Sequence, residues 1–391
     1  MSFKSNIWKM YAFRFLISMH FFSAVLIPFF LDYGNISFTK VMLLQSWFAF
    51  WSFILEIPTG TIADYFGRKT SLAFGALFTG LAAFTYIIYP NIYIFLLAEF
   101  LFAMSLALMS GSDDALIYDS LKKIGKEHKS KKIFANISSY QIAAIAVSAP
   151  IGSLIAGHFG VRWAMGAVVI PSILALVIGL TLKEPKTKRK IESKRYLNIM
   201  VGGVKYLKAH KILKILAFDN VGVTVMAFFV IWTYQLKLIE LGIPIVFFGF
   251  VHAIIAISQV AVMQNFSGLE KLLKSKKRYL LFSAIITGVF FIVLGLSKEP
   301  ILAIISITII AGFGLSRQRL FASYMNKYIE SHNRATVISS IMMLKRFSRM
   351  IIYPIIALLV EWSLMYTFII LGAATIIITY FSKVEEEHLI D

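Results

Sequence analysis

The chain has 391 residues, no cysteine, 59% hydrophobic and 15% charged residues, and a formal net charge of +19. Soluble domains carry about 45–50% apolar and about 25% charged residues, so this composition excludes a soluble globular protein. The absence of cysteine excludes disulfide frameworks, thiolate zinc sites and cysteine nucleophiles.

A bilayer core about 30 Å thick takes roughly 20 apolar residues per helix, so twelve spans use about 240 residues. Apolar stretches fall at 12–31, 41–62, 70–89, 92–112, 136–157 and 163–182. After a polar break they resume at 212–236, 244–265, 279–297, 300–320, 335–359 and 363–382. The opening run has no small-residue cleavage site and reads as a retained span. The expectation is an all-α membrane protein: twelve transmembrane helices in two pseudo-symmetric six-helix bundles. Residues 1–182 form the first bundle, the basic segment 183–211 a cytoplasmic linker, and residues 212–391 the second bundle. With the N-terminus in the cytoplasm, only Lys40, Arg162, Lys237 and Lys298 of the 39 Lys and Arg fall outside. The charge surplus is therefore topology and not a nucleic-acid footprint. It places both termini of a multi-pass cell-membrane protein in the cytoplasm.

The two halves resemble each other at an offset of 204 to 208 residues. Ala12-Phe13-Arg14 recurs as Ala217-Phe218-Asp219, Pro150-Ile151 with Leu154 as Pro354-Ile355 with Leu358, and Ser112 with Leu116 as Ser316 with Leu320. A parallel repeat of six spans is a known way to build a transporter with its substrate held at the midplane.

The segment 56–69, EIPTGTIADYFGRK, joins spans 2 and 3. Gly60 permits close helix approach, Gly67 permits a tight turn, and Arg68 with Lys69 hold the hairpin inside. Asp64, an acid in a basic hairpin, wants a cation or a helix N-terminus. The pattern G-x-x-x-D-x-x-G-R-K resembles motif A of the major facilitator superfamily, and the preceding Glu56-Ile57-Pro58-Thr59 resembles its bacterial drug-exporter-like branch. The segment between spans 8 and 9 carries a degenerate copy, with Gly268, Lys276 and Lys277 but Leu272 and Ser275 in place of the acid and the second glycine. Ala149-Pro150-Ile151-Gly152-Ser153 resembles a weakened antiporter motif C, and Glu99 stands near where motif B has arginine. The resemblance implies a latch of Asp64, Gly67 and Arg68 holding spans 2, 4 and 11 together, with Asp119 as the first and Asp113 as the second acidic partner expected for Arg68.

A charge within a span costs on the order of 2.5 to 3.5 kcal/mol, so each is a functional candidate. Asp113 and Asp114 at the end of span 4 answer to Arg317 and Gln318, followed by Arg319, in span 10; this suggests an inner ionic gate across the halves. In the superfamily that the motif resembles, spans 2 and 11 are neighbours, which implies that Glu56 pairs with one of the span 11 cations Lys345, Arg346 and Arg349; carrying substrate or a proton is its alternative role. Arg14, His20, Glu99 and Asp219 lie within spans 1, 4 and 7 and are candidates for substrate or proton binding.

These readings converge on a secondary active transporter working by alternating access, a monomer in the lipid bilayer that exports small amphipathic organic compounds coupled to protons. The alternatives are an importer of a small anionic metabolite held by Arg14, and a non-transporting membrane sensor. No Walker glycine loop, metal-spaced histidine pair or nucleophile elbow appears, so neither an enzyme nor a resident cofactor or metal is expected.

Overall fold

A computed structural model describes residues 3–56, 59, 65–185, 205–206, 209–329 and 334–389. These are overwhelmingly helical, with no strand among the described residues. The chain divides into two compact units: residues 1–194 with Pro244–Ala253, and Arg195–Ile243 with Ile254–Asp391.

In the first unit the principal helices are α1 (Ser5–Ile17), α2 (Phe38–Ile54), α3 (Arg68–Ile88), α4 (Ile92–Met109), α5 (Ser112–Lys123), α6 (Ser130–Phe159) and α7 (Val169–Thr181). In the second they are α8 (Lys211–Phe228), α9 (Val230–Glu240), α11 (Lys276–Leu296), α12 (Pro300–Ile309), α13 (Ser316–Tyr328), α14 (Arg334–Trp362) and α15 (Leu364–Tyr380); α10 (Phe248–Gln264) starts in the first unit. Eight helical stretches among the described residues are long and apolar enough to cross a membrane. Large apolar side chains cover their outer faces, as with Ile170 and Ile301, 67% and 75% exposed; lipid is the solvent that such a surface requires.

Helix starts follow local chemistry. The side chains of Asn91, Ser275 and Ser363 accept hydrogen bonds from the first-turn amides of α4, α11 and α15. The chain breaks between α4 and α5 at Gly111, whose φ of 70° suits glycine. At the matching place in the second unit, α12 runs into α13 through a π-helical turn, Ile310–Leu315.

Packing repeats between units. In the first, α3 packs on α4 and α7; in the second, α11 packs on α15. Small residues allow this: a Cβ on Gly372 would sit 2.5 Å from the carbonyl oxygen of Gly288, and one on Gly288 would sit 2.9 Å from that of Gly372. Leu116, Ile117 and Leu121 lie in the core of the first unit with Met10, Phe13 and Leu72. Their counterparts 204 residues on, Leu320, Phe321 and Met325, lie in the core of the second with Leu213, Leu216 and Tyr279.

Candidate functional site

The charged side chains of each unit converge on one pattern. In the first unit, Arg14 of α1 forms an ion pair with Asp113 in the opening turn of α5. In the second, Asp219 of α8 accepts from Arg317 Nη2 of α13 at 2.5 Å. Arg317 and Asp219 are 1% and 3% exposed. Arg317 Nη1 also donates to the Leu280 carbonyl at 2.6 Å and to the Ser283 hydroxyl, both on α11. The two pairs occupy equivalent places in the repeat with their signs exchanged: cation then acid in the first unit, acid then cation in the second. Asp113 and Arg317, expected to face one another as a gate, each take a partner inside their own unit, because an opposite charge is already supplied by α1 or α8. Asp114 and Arg319 are exposed. Asp219 also lines a cavity of about 30 Å³ with Lys277, Thr379 and Ser382, room for one or two waters.

Glu99 of α4 is 5% exposed and accepts from Gln45 Nε2 of α2 at 2.7 Å, with the Tyr86 hydroxyl of α3 as a second partner. Among the described residues this acid meets two neutral donors and no cation, which distinguishes it from the paired Asp113 and Asp219. His20 stacks on Phe22 with ring centroids 5.4 Å apart. Glu56 accepts from the Ser110 hydroxyl at 3.4 Å.

At the start of α3, Arg68 forms an ion pair with Asp119 of α5, the partner named from the sequence. Gly67 has a φ of 99°, and its amide neighbourhood is held by an acid that sequence reasoning left in the linker: Glu184 accepts from the backbone N–H of Arg68 at 3.1 Å and of Lys69 at 2.7 Å. The degenerate hairpin is built alike. Glu386 accepts from the backbone N–H of Lys276 at 2.9 Å and of Lys277 at 2.8 Å, and from the Ser275 hydroxyl at 2.5 Å. A carboxylate just beyond the last span of each half thus caps a helix through main-chain donors. The available signal was the placement of Glu184 and Glu386 after the last apolar run of each half. The slight desolvation of the exposed Glu386 side chain opposes its ionisation, but the Ser275 hydroxyl and the two amides outweigh it and hold its pKa below the ordinary value. Gly60 and Asp64 lie outside the described residues.

On α14, Lys345 is 2% exposed and donates to Asn220 Oδ1 of α8 at 2.9 Å. Arg349, one turn on, places its guanidinium 4.4 Å from the centroid of the Phe228 ring. Arg346 lies between them, half-buried. Asn220 was not singled out from the sequence, since an amide within a span carries no distinguishing pattern.

Comparison with solved structures gives likeness across nearly the whole chain at low identity. A crystal structure of the nucleoside transporter NupG matches with a TM-score of 0.75 at 13% identity, covering 97% of this chain and 98% of that one. A POT family transporter in complex with 5-aminolevulinic acid matches at 0.74 and 15%, covering 99% and 97%. A D-xylose-proton symporter matches at 0.69 and 14%, covering 97% of each chain. Comparison with curated proteins gave no match. Residues 10–353 match the profile of the Major Facilitator Superfamily, and the all-α, multi-pass membrane chain belongs to that family of transporters.

Proposed function

We propose that the protein is a secondary active transporter of twelve spans, working by alternating access of two six-helix bundles and exporting small amphipathic organic compounds in exchange for protons. The observation that carries this reading is the sign-exchanged ion pair repeated once per unit, Arg14–Asp113 and Asp219–Arg317. Ionisable groups inside a membrane protein are expensive, and a pair kept at equivalent places in both halves braces the two helices of each half that a substrate path requires. Glu99 is the proton carrier in this reading: a buried acid with neutral donors at Gln45 and Tyr86 exchanges a proton without breaking an ion pair. The likeness of the segment beginning at Glu56 to the drug-exporter-like branch supports outward transport, and the Arg68–Asp119 pair supports a latch at the start of α3. The charge distribution supports a cell-membrane location with cytoplasmic termini.

The test is flux in proteoliposomes under an imposed pH gradient, screened over amphipathic cations, anions and neutral compounds. Gradient-driven flux that loses its pH dependence in Glu99→Gln supports the reading. Flux indifferent to the gradient in both proteins removes proton coupling, and binding without flux removes transport.

A further inference from the structure

Along α8, Asn220, Thr224 and Phe228 lie four residues apart on one face; along α14, Lys345, Arg349 and Tyr353 do the same. The two stripes meet in register. Lys345 Nζ reaches Asn220 Oδ1 at 2.9 Å, the Arg349 guanidinium lies over Phe228 at 4.4 Å, and the Phe228 and Tyr353 rings meet edge to face at 6.5 Å. The Trp232 ring stands perpendicular to Tyr353 at 5.9 Å, and its buried Nε1 has no acceptor among the described residues. One end of the seam is cationic and the other aromatic.

The cations are under-satisfied. Lys345 has three donors and uses one on a neutral amide, whose oxygen also accepts from Thr224 at 3.2 Å. Arg349 spends Nε on the backbone carbonyl of Lys345 at 3.3 Å and presents no further hydrogen bond among the described residues. Asp219, the residue beside Asn220, is committed to Arg317. Two cations one helical turn apart repel one another, and burial removes the water that would screen them. A carboxylate between them removes both costs, since an ammonium and a guanidinium form charge-assisted hydrogen bonds with its oxygens.

We infer that Lys345 and Arg349, backed by Phe228, Trp232 and Tyr353, form the half of a substrate site that binds the carboxylate and aromatic body of a small amphipathic anion. This rests on the transport reading only in taking the bound anion as cargo.

The probe is 2-naphthoate, with 2-naphthamide as its neutral analogue and 2-naphthylmethylammonium as the cation. Binding to the purified full-length chain is measured calorimetrically in nanodiscs. The expected result is that naphthoate binds wild type about tenfold or more tightly than the amide. Lys345→Met and Arg349→Gln should each remove about tenfold of the naphthoate affinity and leave that for the amide unchanged, with Lys345→Arg retaining most of it. Equal affinity for acid and amide, tighter binding of the cation, or naphthoate affinity unchanged in both variants overturns the site. Should Lys345→Met fail to fold, the acid-to-amide ratio in wild type and in Lys345→Arg still decides. Counterflow of radiolabelled naphthoate separates the two readings. Acid-selective binding without counterflow upholds the site and refutes transport; flux of other compounds without acid selectivity refutes the site and leaves transport standing.

Discussion

Asp219→Asn removes the carboxylate that Arg317 holds at 2.5 Å and leaves a guanidinium only 1% exposed. Taking one partner from a buried pair costs about 3–5 kcal/mol, because the other charge stays buried and uncompensated. Two acceptors remain for Arg317, the Leu280 carbonyl and the Ser283 hydroxyl, which puts the loss near the lower bound of about 3 kcal/mol. At about 2–4 °C per kcal/mol for a unit of about 150–250 residues, the unfolding midpoint falls by about 6–12 °C. Asp113→Asn should cost less, about half, because the Arg14 side chain is 20% exposed and water takes part of the charge. The assay is thermal unfolding of the purified protein in one detergent, followed by tryptophan fluorescence. Exchanging the partners within the second unit, Asp219→Arg with Arg317→Asp, should recover at least half of the loss. Combining Asp113→Arg with Arg317→Asp should instead be worse than either single change, since Arg14 then meets a second cation and Asp219 a second carboxylate. Recovery in that cross-unit combination, or an unchanged midpoint in Asp219→Asn, refutes the pairing within units.

Three other outcomes follow from the same geometry. Glu386→Gln should loosen the start of α11 by about 0.5 kcal/mol, the low end for a cap because the side chain is exposed, and speed hydrogen exchange at the amides of Lys276 and Lys277. Since the folded pKa of Glu386 lies below its ordinary value of 4.5, its contribution is fully present above that value and is lost as pH falls through the folded pKa; the protection of the α11 amides, corrected for the intrinsic pH dependence of exchange, should therefore fall in wild type in acid and stay flat in the variant. Gly372→Leu should prevent close packing of α15 on α11 and abolish a monodisperse gel-filtration peak, whereas the same change at Gly268, where a Cβ meets nothing within 4 Å, should leave it intact. Asp64→Asn should lower initial transport rates in vesicles without lowering membrane insertion, and equal rates would remove the latch.

Much of the fold was legible because lipid imposes a simple rule, twenty apolar residues per span, and because Lys and Arg mark one side. The all-α reading and the choice of Arg68 with Asp119 came from that rule and one motif. The site was legible as a set of residues and illegible as a set of pairs. Arg14, Asp113, Asp219 and Arg317 were each visible as charges in apolar runs, but offset matching joins equivalent positions, whereas Coulomb attraction joins neighbours. The reading that followed offset linked Asp113 to Arg317; the contacts link each to the helix packed beside it. Glu184 and Glu386 escaped notice for another reason: they act on main-chain N–H groups, so that only their place after the last apolar run of each half marks them.

The exchange of sign between the two pairs has a local cause. A Coulomb pair is indifferent to which partner carries which charge. The backbone is not. Gly111 breaks the chain ahead of α5, so Asp113 sits in the first turn of a true helix start, where free amides and the positive end of the dipole favour an acid. Arg317 sits two residues past a π-helical turn that carries α12 into α13 without a break, so no free helix end opposes a cation there, and α11 supplies two more acceptors. It follows that reversing the pair within the first unit, Arg14→Asp with Asp113→Arg, puts a cation on a helix N-terminus and should leave about 0.3–1 kcal/mol of the original stability unrecovered. Full recovery, measured as the unfolding midpoint at low ionic strength, would remove the helix end as the cause of the sign.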